Sequence, residues 1–181
     1  MSERVGDWMQ VYTGGQFWPL DPRPEEVHIE DIAHALSMIC RYNGHVSRFY
    51  SVAEHSIHVG RAMKAYGWNN DLSLRALLHD AAEAYICDVV RPLKSNLVGY
   101  EEAERRIEHV IWYRFGLPSE DIFIIKDLDN LVLYDEAKAL MGVDCIAWHK
   151  KFAPGLGVEI VGMMPSDAER EFLALFEEWM R

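Results

Sequence analysis

Apolar residues recur at three- and four-residue steps through six stretches of this chain, and that spacing commits most of it to amphipathic helices. The stretches are 29–42, 51–66, 71–86, 101–115, 119 to about 141, and 166–179. In the first, Ile29, Ile32, Ala33, Leu36, Ile39 and Cys40 form one stripe. Gly116 and Pro118 supply a stop signal after the fourth. Ser119 is placed to cap the fifth. Ser166 and Glu169 have the spacing of a capping box that opens the sixth. Ahead of the helices, 8–24 carries Gly14-Gly15 between two aromatic runs and reads as a small β-hairpin followed by a rigid turn. Between the last two helices, 152–165 holds Pro154, Gly155, Gly157 and Gly162 and reads as loop, with a short strand at 158–161. The expected architecture is an all-α bundle with a β ornament near the N-terminus, formed by one domain over 1–181.

Composition narrows the function classes. With 18 Lys+Arg against 29 Asp+Glu, the chain carries a formal charge of −11, which argues against coating nucleic acid. No apolar run is long enough to span a membrane, and the first residues do not form a secretion signal. The three cysteines (Cys40, Cys87, Cys145) are odd in number and never paired as CxxC, so a reducing cytoplasm is the expected compartment.

Three helices place ionisable groups where apolar ones belong. His55 falls in the stripe of Val52, Val59, Ala62 and Tyr66, with His58 at its margin. His79, Asp80 and Glu83 share the second face of the 71–86 helix with Leu72 and Ala76, so that helix has two semi-apolar faces and sits centrally. Asp129 and Glu136 interrupt the stripe of Ile122, Ile125, Val132 and Leu140, two turns apart; buried salt bridges are an equal account of that pair. Burying such groups unpartnered costs of the order of several kcal/mol each. A bound metal satisfies several at once, and His55, His79, Asp80 and Asp129 form a mixed N/O set that suits a transition metal.

In order and in context, these residues resemble the HD-domain metal-dependent phosphohydrolases, whose pattern is H…HD…D on a helical bundle. The matching segments are "SVAEHSIHV", "ALLHDAAEAYICDVVRPLK" and "IKDLDNLVLYDEAKALM", with 24 residues from His55 to His79 and 49 from Asp80 to Asp129. The N-terminal "YTGGQFWPLDPRPEEVHIEDIAHAL" is similar to a phage and bacterial branch, and "HDAAEAYICD" to the deoxynucleotide-acting branch. The resemblance implies His55, His79, Asp80 and Asp129 as ligands of a divalent metal (Co, Mn, Zn, Ni, Fe or Mg). It implies Glu83 as the group that orients or deprotonates the attacking water. Asp88 would contact the sugar, Arg41 and Lys94 the phosphates, and Tyr42 the nucleoside. Pro92 shapes the loop beside the base, and Lys126 adds a third positive group.

The activity so implied is hydrolysis of a deoxyribonucleotide: a dNTP, such as dATP, giving deoxynucleoside and triphosphate, in preference to a dNMP giving phosphate. The partner would be a small nucleotide, not nucleic acid or membrane, in the cytoplasm, or the host's for a phage protein. A homo-oligomer is expected, with Phe172, Phe176 and Trp179 on the last helix as a contact surface or, equally, docked on the bundle. Rival classes are a di-iron oxygenase of HD type, which needs further histidine ligands, and a non-catalytic binding module. His28, His34, His45, His109 and His149 are read as structural, with His45 in "RYNGH" open to a place at the pocket wall as well.

Overall fold

The computed structural model describes residues 4–120, 122–141 and 154–181. It is mostly helical, with one two-stranded antiparallel hairpin at the N-terminus, as the periodicity predicts. Strands β1 (Met9–Gln10) and β2 (Gln16–Phe17) pair Met9 with Phe17 and Gln10 with Gln16. Eight helices follow among the described residues: α1 (Ile29–Met38), α2 (Val52–Ala65), α3 (Asn70–Leu77), α4 (Glu83–Ile86), α5 (Arg91–Lys94), α6 (Tyr100–Phe115), α7 (Phe123–Leu140) and α8 (Pro165–Trp179). None is long and apolar enough to cross a membrane.

Helix α2 is the axis of the bundle and packs on α1, α3, α7 and α8. Every residue of its first nine, Val52 to Gly60, is buried. Its start is fixed by Ser51, whose hydroxyl accepts the Glu54 N–H. At Gly60 an added Cβ would stand 3.0 Å from the Trp179 ring, so the glycine lets α8 approach. The face of α8 carrying Phe172, Phe176 and Trp179 is buried in the main core and docks on the bundle, so it offers no contact surface. Burial of side chains of this size contributes about 1.5–3 kcal/mol each.

Several expected boundaries move, each for a visible reason. The single 71–86 helix is broken: after Leu78 the backbone bonds shorten to i→i−3, from His79 N–H to Ala76 O and from Ala81 N–H to Leu78 O. The His79 ring takes the carbonyl of Ala76 through Nδ1 at 2.8 Å, in place of the next helical N–H. The 29–42 helix ends at Met38. Cys40 then bridges to Ser51, and Arg41–Gly44 form a tight turn with Tyr42 (φ 58°) and Asn43 (φ 53°) left-handed.

Ser119 caps nothing, because α7 begins at Phe123 after Ile122. Ser166 lies inside α8, whose first residue is Pro165, preset for a helix start. Its capping-box partner Glu169 instead pairs with His34 Nδ1 at 3.1 Å. No strand forms among 154–164; those N–H groups go to buried carboxylates. Asp135 Oδ2 accepts from Leu156, Gly157 and Val158, and Glu54 accepts from Val161, Gly162 and Met163. Cys145, His149 and the first two residues of that loop lie outside the described residues.

Candidate metal centre and its cavity

His55 comes from the middle of α2, His79 and Asp80 from the broken turn between α3 and α4, and Asp129 from α7. The two imidazoles meet through Nε2 at 3.2 Å. Asp80 Oδ2 lies 3.2 Å from His79 Nε2 and 3.6 Å from His55 Nε2. His55, His79 and Asp80 therefore form a group that could hold a metal ion. Two ligands about 2.1 Å from one ion stand ~3.0–3.4 Å apart at octahedral or tetrahedral angles, close to the separations here.

The outer ring nitrogens are committed elsewhere, as a metal site requires. His79 Nδ1 donates to the Ala76 carbonyl, and His55 Nδ1 lies 2.5 Å from Glu136 Oε1. A carbonyl and a carboxylate only accept, so each Nδ1 carries a proton, and a metal would take the place of any proton on Nε2. The donor set is compatible with a divalent metal.

Asp129 adds a further carboxylate at the edge of this group: its Oδ1 is 3.3 Å from His55 Nε2, while Oδ2 accepts from Lys126 at 2.7 Å and Arg91 at 3.0 Å.

Glu136 is fully buried and receives four groups. Besides His55, Tyr50 donates at 2.9 Å, Tyr42 donates through a short bond, and Arg41 Nε approaches to 3.4 Å. Burial works to raise its pKa, but the charges of Arg41 and His55 hold it down at about 2. Burial and Arg41 work to lower the His55 pKa, and the carboxylates Glu136 and Asp129 outweigh them, bringing it to about 9.

A cavity of about 750 Å³ opens over this centre. Arg41, Tyr42, Asp88, Pro92, Lys94 and Lys126, the expected substrate contacts, all line it, as do Glu83, Asp80, Asp129 and His45. Glu83 Oε2 is buried with no hydrogen-bond partner among the described residues. Burial, then the charges of Asp80 and Asp88, push its pKa well above the ordinary carboxylate range. Asp88 is raised too, by burial first.

Arg91 also lines the cavity, and the sequence reading missed it. It starts the four-residue helix α5, too short to register as a period, so nothing marked its side chain as facing inward. Glu136 was legible as an interruption of the α7 stripe, and the salt-bridge account of it holds for Arg41 and His55. His109 bonds the Arg105 carbonyl on an exposed face, in keeping with a structural role. Cys40 and Cys87 are free thiols.

Fold and site together define a helical protein with an imidazole–carboxylate group that could hold a metal, beside a cavity that its Asp80 lines. The chain is 35% identical over 137 residues to the uncharacterized protein YfdR of Escherichia coli (strain K12), spanning 76% of this chain and 74% of that one. It belongs to the same family as YfdR. It is also 39% identical over 117 residues to the uncharacterized protein RCAP_rcc00048 of Rhodobacter capsulatus, spanning 62% of this chain and 60% of the relative. No protein-family model matches the chain.

Proposed function

We propose that this protein is an HD-type, metal-dependent phosphohydrolase acting on deoxyribonucleotides. The observation that carries the reading is the His55–His79–Asp80 group, whose Asp80 lines a cavity walled by Arg41, Arg91, Lys94 and Lys126. Those four cations face four carboxylates on the same wall (Asp80, Glu83, Asp88, Asp129), so a bound divalent cation tips the cavity positive toward a phosphate.

A metal held by His55, His79 and Asp80 would supply charge neutralisation of the phosphate and acidification of water. The chain's own residues do the rest. Arg41 forks across phosphate oxygens, a geometry that lysine cannot match. Glu83 Oε2, free of other bonds, accepts the proton of the attacking water. The new P–O bond forms at the α-phosphorus as the bond to the 5′-oxygen breaks. Asp88 accepts a sugar hydroxyl, and Tyr42 packs on the nucleoside.

Four cations along one cavity favour a triphosphate, released intact beside the deoxynucleoside. One observation favours the monophosphate: Lys94 Nζ is held 2.6 Å from Glu104, turned to α6. The test is product chromatography after incubation with deoxy- and ribonucleoside mono- and triphosphates in Mn²⁺, Co²⁺, Mg²⁺ or EDTA, with His79→Ala as blank. Deoxynucleoside plus triphosphate from a dNTP is the expected result. Deoxynucleoside plus orthophosphate from dNMPs would make it a 5′-nucleotidase. No metal-dependent product would overturn the reading and redirect attention to iron chemistry or plain binding.

A further inference from the structure

We propose that Glu136 is a positioning residue that fixes the metal ligand His55 and the cavity turn of Arg41 and Tyr42 through one buried carboxylate. The inference rests on the metal-site reading above, and it concerns a residue that the family resemblance leaves without a role.

Glu136 has no exposed surface, and its two oxygens divide the work. Oε1 faces His55 Nδ1 at 2.5 Å and Tyr50 at 2.9 Å, while Oε2 faces the Tyr42 hydroxyl and Arg41 Nε. The first contact keeps a proton on His55 Nδ1 and sets where Nε2 points. The second holds a turn that would not keep its shape alone. Tyr42 and Asn43 are both left-handed, a conformation that strains a non-glycine residue. Tyr42 spends its only hydroxyl on Glu136 while its side chain lines the cavity. Arg41, nearly buried, lies between Glu136 and Asp80, 3.4 Å from each. One carboxylate thus connects the metal-binding group to the wall of the cavity.

The chemistry of the contacts makes the carboxylate hard to replace. His55 Nδ1 must donate on that side if Nε2 is to face a metal, and the Arg41 guanidinium, an ion-pair partner 3.4 Å from Oε2, has no acceptor to offer an amide. An amide of the same shape must turn its NH₂ toward one of them, so Glu136→Gln keeps the volume and breaks one arm or the other.

The experiment titrates Co²⁺ by its visible absorption into the wild type, Glu136→Gln, Tyr50→Phe and Tyr42→Phe, then inorganic phosphate at saturating Co²⁺, with melting curves alongside. Glu136→Gln should weaken Co²⁺ about 10- to 100-fold, the range for loss of a ligand's outer hydrogen bond, and shift the Co²⁺ absorption bands. It should weaken phosphate as well. Tyr42→Phe should weaken phosphate and leave Co²⁺ within two-fold. Tyr50→Phe removes a hydrogen bond from the same carboxylate; it should lower the melting temperature and leave Co²⁺ within two-fold.

Glu136→Gln binding Co²⁺ within two-fold of wild type would overturn the proposal. So would a Tyr50→Phe loss as large as that of Glu136→Gln, which would mark general loosening, or a Glu136→Gln variant in which only one affinity moves. A wild type that binds no Co²⁺ overturns both this and the metal-site reading. A wild type that binds Co²⁺ through Glu136 yet hydrolyses no nucleotide leaves this inference standing and removes the proposed activity.

Discussion

Arg91 Nη2 donates to Asp129 Oδ2 across 3.0 Å, while the other oxygen of Asp129 lies 3.3 Å from His55 Nε2. The same carboxylate therefore serves a cavity cation on one side and the metal-binding group on the other. Charge that it shares with Arg91 is charge withheld from a metal. The Arg91 side chain is 47% exposed, so the pair is screened and worth only ~0.2–1 kcal/mol. Arg91→Gln should accordingly tighten Mn²⁺ or Co²⁺ binding about two- to five-fold, read by titration. Weaker binding in that variant would show that Arg91 orients Asp129 toward the metal instead of competing for it.

Glu54 gives a prediction of opposite character, in stability and not in chemistry. Fully buried on α2, it accepts from the N–H groups of Val161, Gly162 and Met163 and so ties the segment before α8 to the core. Burial works to raise its pKa. His58, 3.8 Å off, and the N–H groups of Met163 and Gly162 outweigh burial and hold it below the ordinary 4.5. A depressed folded-state pKa means stabilisation that is present above pH ~4.5 and lost as pH falls through the folded value. Glu54→Gln should cost about 2 kcal/mol at pH 7. Urea melts should show that gap narrowing as pH drops below about 4.5, because the wild type then loses its carboxylate too. A gap that is constant from pH 7 to pH 3.5 would mean the charge contributes nothing.

The difference between these two sites shows what the sequence could carry. Helix existence, the hairpin and the ligand types were legible because the 3.6-residue period and the misplaced charges on α2 and α7 are local signals. The breaks were not. Nothing in the 71–86 pattern says that the His79 ring will claim the Ala76 carbonyl and interrupt the helix, since that bond is side chain to backbone and leaves the stripe of Leu74, Leu77 and Leu78 intact. Caps failed for a similar reason: Glu169 finds His34, 135 residues away in sequence, and Pro165 starts α8 without Ser166. The cavity contacts were readable only through the resemblance, because Arg41 and Tyr42 sit in a turn held by Glu136 from the far end of α7.

Cys87 carries a second strained backbone at the cavity. Its φ of 69° and ψ of 158° fall in a region that glycine occupies almost alone, immediately before Asp88, and its carbonyl is held by Tyr100 at 2.8 Å. Such a conformation costs a non-glycine residue ~1–3 kcal/mol. Cys87→Gly relieves it and gives back ~0.5–1 kcal/mol in chain entropy. The net expectation is about 1 kcal/mol of added stability, or ~2–4 °C in Tm for a chain of this length. A lowered Tm would show that the Tyr100 contact does not impose strain at all.

Under the proposed function, Glu83 is the residue whose substitution separates hydrolysis from binding. It opens α4 three residues after Asp80, is 7% exposed, and leaves Oε2 without a partner. Its nearby charges are of mixed sign: Asp80 and Asp88 oppose its ionisation, and Arg41 and Lys94 favour it. A structural carboxylate this buried would be expected to have both oxygens satisfied, because an unpaired one costs about 1–3 kcal/mol. The proposed reaction gives that oxygen a use, as acceptor of the proton of a reacting water. Glu83→Gln keeps the volume and removes the base. It should lower turnover by ~10²–10⁴-fold while Co²⁺ affinity and Tm stay near wild type. Full turnover with intact metal binding would assign the proton to another group, and unaltered nucleotide binding with no turnover in the wild type itself would favour a binding module.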